Sequence, residues 1–182
     1  MAPIYITTLG QDSHRFMDAP EPGGSEPQIS PADWNGRRLM LGGVPIPGDC
    51  PPLSGNSDAD VILHAVANAI SGYSGVNILG GRADELCRAG VTDSAVYLQA
   101  ALATLPPGVR IVHVSLSVEG RRPKLKPHID AIKTSLGRLL GLPATHVGLT
   151  ATSGEGLTAF GRGEGLQALC LLSLCVAADD KN

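Results

Sequence analysis

Aromatic residues are almost missing from this chain: they make up 3% of its 182 residues, with a single Trp, against a hydrophobic fraction of 43%. The core must therefore be aliphatic, built from Val, Ile, Leu and Ala. Charge is also scarce, at 17%. That leaves much of the surface uncharged, as at subunit interfaces, whose centres are depleted in charged side chains. There is no basic excess. A formal net charge of −3 excludes a general nucleic-acid binder, whose footprint would be positive. The cysteines, Cys50, Cys87, Cys170 and Cys175, form neither a C-x-x-C pair nor a dense disulfide pattern, and read as free thiols in a reducing compartment. No long apolar run is present either. The stretch from Leu166 to Ala178 is broken by Gln167 and Ser173 and falls short of the roughly 20 residues that span a bilayer, so no membrane partner is expected. The first residues lack a basic segment followed by an apolar core, so no secretory signal is expected. The expected location is cytoplasmic, or a plastid-type organelle for a eukaryotic source.

What is there organises as one domain over residues 1–182, a length that buries most of its apolar surface in a single core. Ile4 to Leu9 reads as a strand running into Gly10-Gln11-Asp12-Ser13-His14. Residues 17–35 are rich in Pro, Gly, Ser and Asp with no apolar period, and predict a long loop. Arg38 to Ile46 predicts a hairpin through Gly42-Gly43. Ser57-Asp58-Ala59-Asp60 resembles a capping box, and Val61, Ala65 and Ala69 with Ile62, Val66 and Ile70 predict a helix ending at Gly72. A second helix is predicted from Asp93-Ser94 to Leu105. A strand follows over Val109 to Val118, with Val112, Val114, Leu116 and Val118 on one face, and a helix after Pro127. Strands near Val147–Thr152 and Leu166–Val176 end the chain. Strands interleaved with helices predict an α/β (α+β layered) domain.

Three clusters carry chemistry. Asp12 and His14 leave an extended segment on the same face, and His64 lies in the middle of the first helix. One carboxylate and two imidazoles suit Zn²⁺ with an open fourth position. On the helix edge Asp60 is placed to orient His64. Equally, Asp-x-His can be a turn and His64 a satisfied histidine at the rim of the core. The second cluster is Thr152-Ser153-Gly154-Glu155-Gly156 with Gly161-Arg162-Gly163-Glu164-Gly165. It is either a glycine-rich surface turn or an anion cradle, in which Arg162 grips phosphate and Glu155 holds Mg²⁺ against a pyrophosphate. The third runs from Arg121 to His128 and places four of the chain's fourteen basic residues in six positions. It is a solvated loop or a contact for nucleotide phosphates. His113 and His146 are read as strand-surface residues without chemistry.

Taken in order, these segments resemble the 2-C-methyl-D-erythritol 2,4-cyclodiphosphate synthase family. The matching stretches are residues 10–16, Leu41-Gly42-Gly43-Val44-Pro45-Ile46-Pro47, Asn56 to Ala65, Asp93-Ser94, Pro123-Lys124-Leu125-Lys126-Pro127-His128-Ile129, and, as one motif, Thr152 to Leu157 with Phe160 to Gly165. Six motifs in register cover nearly the whole chain. The resemblance implies a mixed four-stranded sheet covered by helices on one face, and a homotrimer with sites between subunits. It implies release of CMP from a cytidine diphosphate substrate as the cyclic diphosphate forms. Asp12, His14 and His64 would hold Zn²⁺ or another divalent ion, and Glu155 would hold Mg²⁺ or Mn²⁺ on the pyrophosphate. Pro123, Lys124, Leu125, Ala151, Thr152 and Ser153 would line the cytidine side, with Asn56, Ser57, Asn77, Phe160 and Arg162 also in substrate binding.

The departures cluster around the sugar alcohol. Asn56 stands where the family usually has His, and Val76-Asn77-Ile78-Leu79 replaces a Gly-Asp-Ile-Gly segment. Thr150 replaces a Lys, and Leu157-Thr158-Ala159-Phe160 replaces Leu-Gly-Phe-Thr. These changes keep two alternatives open: a metal-dependent phosphoryl-transfer or cyclase enzyme acting on another nucleotide diphosphate, or a non-catalytic trimer that binds a nucleotide or isoprenoid diphosphate. The 17–35 loop is expected to cover the site.

Overall fold

The computed structural model describes residues 2–19 and 34–177. Most of the 17–35 loop, and with it the expectation that the loop covers the site, lies outside the described residues. The sheet contains β1 (Ile4–Arg15), β4 (Val109–Glu119), β5 (Val147–Thr152) and β6 (Gly165–Val176) in the order β1-β6-β4-β5. β6 runs antiparallel to both β1 and β4, and β4 and β5 are parallel, so the sheet is mixed as expected. β2 (Met40–Leu41) and β3 (Val44–Pro45) make the small hairpin, with Gly42 and Gly43 at its turn, both at positive φ. The helices are α1 (Val61–Ser74), α2 (Gly81–Arg88), α3 (Ser94–Leu102) and α4 (Ile129–Leu140).

Alternation along β6 sets the layering. Leu166, Ala168, Cys170, Leu172 and Leu174 are buried, whereas Leu169 and Leu171 are exposed. In β4, Ile111, Val114, Leu116 and Val118 are buried. A bulge between Ile111 and His113 shifts the register there, so Ile111 and not Val112 takes the inner position that strict alternation predicts. α1 crosses the inner face of β1 and β6.

Gly10 makes that crossing close. A Cβ built on it would sit 2.0 Å from the Ala65 carbonyl oxygen and 2.3 Å from the Ala69 nitrogen, so only glycine admits the helix backbone. Thr8 Oγ1 donates to the Ala69 carbonyl at 2.7 Å, and Asn68 Nδ2 donates to the Gln11 carbonyl at 2.9 Å. His64, one residue before Ala65, is thereby held beside β1.

Two boundaries differ from the sequence expectation. β1 continues to Arg15, so Asp12 and His14 lie on a strand paired to Ala168 and Leu166 rather than in a turn. α1 begins after Asp60 and runs past Gly72 to Ser74, where Gly75 caps it at φ 72°. Gly72 is tolerated inside the helix, and the left-handed position falls three residues later. α2 is a helix that apolar periodicity did not announce.

Candidate metal and substrate site

Asp12 and His14 project from the same face of β1, and His64 comes down from α1 to meet them. Asp12 Oδ2 lies 3.0 Å from His14 Nε2 and 3.0 Å from His64 Nδ1. The two imidazole nitrogens are 3.3 Å apart. A tetrahedral site with bond lengths of about 2.05 Å has ligand–ligand edges of about 3.3 Å, so these three atoms are spaced to share one small cation.

The tautomers agree with that reading. His14 Nδ1 is 2.9 Å from the Ser54 carbonyl oxygen, which can only accept, so Nδ1 carries the proton and Nε2 turns a lone pair inward. His64 is 6% exposed, and its Nε2 is 2.8 Å from Ser94 Oγ. Two ring nitrogens and a carboxylate oxygen converging on one point favour a cation or a proton among them, and the donor set of one carboxylate and two imidazoles suits a divalent metal.

In the metal-free chain Asp12 and His14 shift each other's ionisation. Burial works to raise the Asp12 carboxyl, but the hydrogen bonds and charges of His14 and His64 together bring it down to about 2. Burial works to lower His14, and the Asp12 carboxylate outweighs it, with help from the Ser54 carbonyl, so the imidazole is raised from its ordinary 6.5.

Asp60 does not orient His64. It is fully buried and caps α1, its Oδ1 accepting from Ile62 N and Leu63 N at 3.1 Å each and from Gly42 N at 2.8 Å. Its Oδ2 accepts from Gly43 N at 2.7 Å, which ties the hairpin to the helix start. The i, i+4 rule fails because Asp60 is the extended N-cap, φ −67° and ψ 93°, so its side chain folds back over the helix end. The same cap replaces the expected one at Ser57.

Around the three ligands opens a cavity of about 210 Å³. Asn56 and Ser57 line it, together with Leu79, Gly80, Cys87 and Tyr97. Cys87 Sγ donates to the Asn56 carbonyl at 3.0 Å. Arg37 donates to the carbonyls of Gly55 at 3.0 Å and Leu53 at 3.3 Å, and also to that of Ser57, so one guanidinium gathers the segment carrying Asn56. Asn77 is exposed on the segment leading to Leu79.

The remaining sequence candidates lie outside that cavity, although Phe160 shares a second one, of about 200 Å³, with His14. Ala151, Thr152, Ser153 and Glu155 are exposed at the end of β5, and Lys124 is exposed on the loop from β4, beside half-buried Pro123 and buried Leu125. Glu155 has φ 49°, and its Oε1 accepts from Ser153 Oγ at 3.1 Å. Phe160 and Arg162 lie on the turn before β6, where Arg162 Nε donates to Glu164 Oε1 at 2.8 Å and that pairing draws the Glu164 carboxyl downward. All of these sit at the same end of the sheet as the metal cluster. Two strands separate β1 from β5, however, so the groups at their ends are about 14 Å apart across the sheet.

Sequence reasoning missed Ser94, Asp58, Tyr97 and Cys87. Ser94 and Asp58 carried a signal, as polar residues at helix starts, but only the packing of α1 against α3 decides that Ser94 meets His64 and that Asp58 meets Ser94.

The YgbB family matches residues 5–175 of the chain. A 2-C-methyl-D-erythritol 2,4-cyclodiphosphate synthase of Chlamydia trachomatis is 42% identical over 172 residues, covering 94% of this chain and 88% of its own length. The enzyme of the same name from Chlamydia muridarum is 43% identical over the same span and coverage. Among solved structures, a 2C-methyl-D-erythritol-2,4-cyclodiphosphate synthase superposes with a TM-score of 0.73 at 31% identity, covering 93% of this chain and 99% of that one. A form of the synthase with CDP bound superposes with the same TM-score at 30% identity and the same coverage.

Proposed function

Since the chain belongs to the YgbB family, we propose that it is a 2-C-methyl-D-erythritol 2,4-cyclodiphosphate synthase, converting 4-diphosphocytidyl-2-C-methyl-D-erythritol 2-phosphate to the cyclic diphosphate with release of CMP. The observation that carries the reading is the convergence of Asp12 Oδ2, His14 Nε2 and His64 Nδ1 at the mouth of a cavity lined by Asn56 and Ser57. An oxygen of the substrate's 2-phosphate forms a new bond to the β-phosphorus. The bond from that phosphorus to the bridging oxygen breaks, and CMP leaves with the oxygen. No protein nucleophile is needed, so the side chains position groups and balance charge.

Asp12, His14 and His64 would hold Zn²⁺ or another divalent ion, and Glu155 would hold Mg²⁺ or Mn²⁺ beside the diphosphate. When bound, these cations act as Lewis acids and as a template for the diphosphate oxygens. Asn56 and Ser57 contact the substrate beside the zinc ligands. Asn77 hydrogen-bonds a hydroxyl of the sugar alcohol without a charge. Pro123, Lys124, Leu125, Ala151, Thr152 and Ser153 form the cytidine side, and Phe160 and Arg162 complete the lip before β6.

The two halves meet between copies of the chain, in a homotrimer. Within one copy, about 14 Å of sheet separates Asp12 from the β5 end, too far for one diphosphate to bridge. The outer sheet face supports the assembly: Tyr5, Leu9, Leu169 and Leu171 are 67%, 61%, 37% and 49% exposed, and Leu9 pairs directly with Leu171. A contiguous apolar patch of this kind marks an interface. Sedimentation is expected to give trimers, and Leu171→Asp to give monomers that retain the metal cluster.

CMP release from the substrate with Zn²⁺ and Mg²⁺, measured with and without chelator, tests the function. Chelator-sensitive CMP formation is expected. A zinc-loaded trimer that releases none would transfer the site to another diphosphate.

A further inference from the structure

On the side of His64 away from the ligand cluster, a chain of polar contacts runs into the protein. His64 Nε2 lies 2.8 Å from Ser94 Oγ, and Ser94 Oγ hydrogen-bonds Asp58 Oδ1. Asp58 Oδ2 accepts from Ser94 N at 3.3 Å, and Asp58 N donates to the Thr92 carbonyl at 2.8 Å, so the two segments are clasped together. Ser94 is completely buried, and a group so placed has no water to satisfy it. Ser57 Oγ is the other hydroxyl nearby and accepts from Ala59 N at 3.1 Å; at 3.5 Å from His64 Nε2 it is a far weaker partner than Ser94 at 2.8 Å.

Proton counting settles the direction of this chain. An ionised carboxylate has no proton, so the hydrogen between Asp58 and Ser94 belongs to Ser94. A hydroxyl has one proton, so Ser94 offers His64 only a lone pair. Nε2 of His64 must therefore carry hydrogen, and Nδ1, the nitrogen that faces Asp12 and His14, is left bare. We propose that Asp58 and Ser94 are positioning residues that commit His64 to its Nε2–H tautomer and so reserve Nδ1 for the metal. This rests on the metal reading of the Asp12, His14 and His64 cluster. For His14 the same task falls to the Ser54 backbone carbonyl, which no side-chain substitution removes. The His64 arrangement alone is open to test by substitution.

Asp58→Asn reverses the logic. Its amide can donate to Ser94 Oγ, which frees the Ser94 proton for His64 Nε2 and pushes the imidazole hydrogen onto Nδ1. Ser94→Ala removes the acceptor, and Ser94→Thr keeps it. Asp93 caps α3 and Ser94 follows it, so neither Ser94 substitution removes the cap.

The test is nitrogen NMR of the histidine rings in labelled full-length protein, with zinc affinity measured by competition against a chelator. The wild type is expected to show Nε2–H at His64. Asp58→Asn should show Nδ1–H and Ser94→Ala a mixture, with zinc affinity lowered about 10- to 100-fold in both. Ser94→Thr should restore tautomer and affinity, while the His14 signals stay fixed in all variants. Nδ1–H at His64 in the wild type, or Asp58→Asn and Ser94→Ala both binding zinc as tightly as the wild type, would overturn the proposal. A wild type with Nε2–H that takes up no zinc would overturn the metal reading and the purpose assigned to the tautomer, leaving the assignment of the proton intact.

Discussion

The two halves of the site differ in how they are built. The candidate metal half, between β1 and α1, is closed within one chain: Gly10 brings the helix onto the strand, and Ser54, Ser94 and Asp12 account for every ring nitrogen of His14 and His64. The half proposed for the diphosphate, at the end of β5, is exposed, and Glu155 is held by Ser153 at a positive φ. A site whose ligands are already paired is preorganised, whereas one whose carboxylate faces solvent gains its partner from another copy or from the substrate. The Asp12, His14 and His64 cluster is thus complete within one copy, so under the proposed trimer metal loading would need only the monomer fold and turnover would need assembly.

Breaking the zinc half carries the largest effect. Asp12→Ala or His64→Ala is expected to abolish zinc binding at this site and lower CMP formation about 10³-fold, as loss of several kcal/mol of charge stabilisation requires. Metal content and turnover check it. Breaking the other half should leave zinc in place: Glu155→Gln is expected to lower turnover about 10²-fold while zinc affinity stays as in the wild type.

Gly10→Ala tests the scaffold between them. Its Cβ would overlap the α1 backbone, so a loss of about 3 kcal/mol in denaturant unfolding is expected, with weaker zinc binding because His64 rides on that helix. The smallest effect sharpens the electrostatics. His14 is raised above 6.5, so in metal-free protein its contribution to stability is full below that value and lost as pH rises through the raised one. Asp12, lowered from 3.8 to about 2, contributes above 3.8 and loses its contribution as pH falls through about 2. Zinc competes with the His14 proton, so the melting-temperature gap between zinc-loaded and metal-free protein should widen from pH 6 to pH 8.

Much of the fold was legible because periodicity reports which face of an element is apolar. The long strands, α1, α3 and α4 follow that pattern, and Asp12 and His14 share a face for the same reason. α2, Gly81–Arg88, was not legible, since its eight residues are mostly polar and its apolar stripe, Ala83, Leu86 and Cys87, spans a single turn. The role of Asp60 was misread for a local reason: helical spacing was applied to a residue that precedes the helix.

By itself, then, the sequence determined the ligand types, the faces they occupy and the family to which the chain belongs, since these follow from residue order and alternation. Only the tertiary structure decided that His64 meets β1 through the notch at Gly10, that Ser94 rather than Asp60 holds its Nε2, and that β6 and β4 stand between Asp12 and Glu155. Those are contacts between residues far apart in the chain, set by the register of the sheet and the depth to which one backbone can approach another.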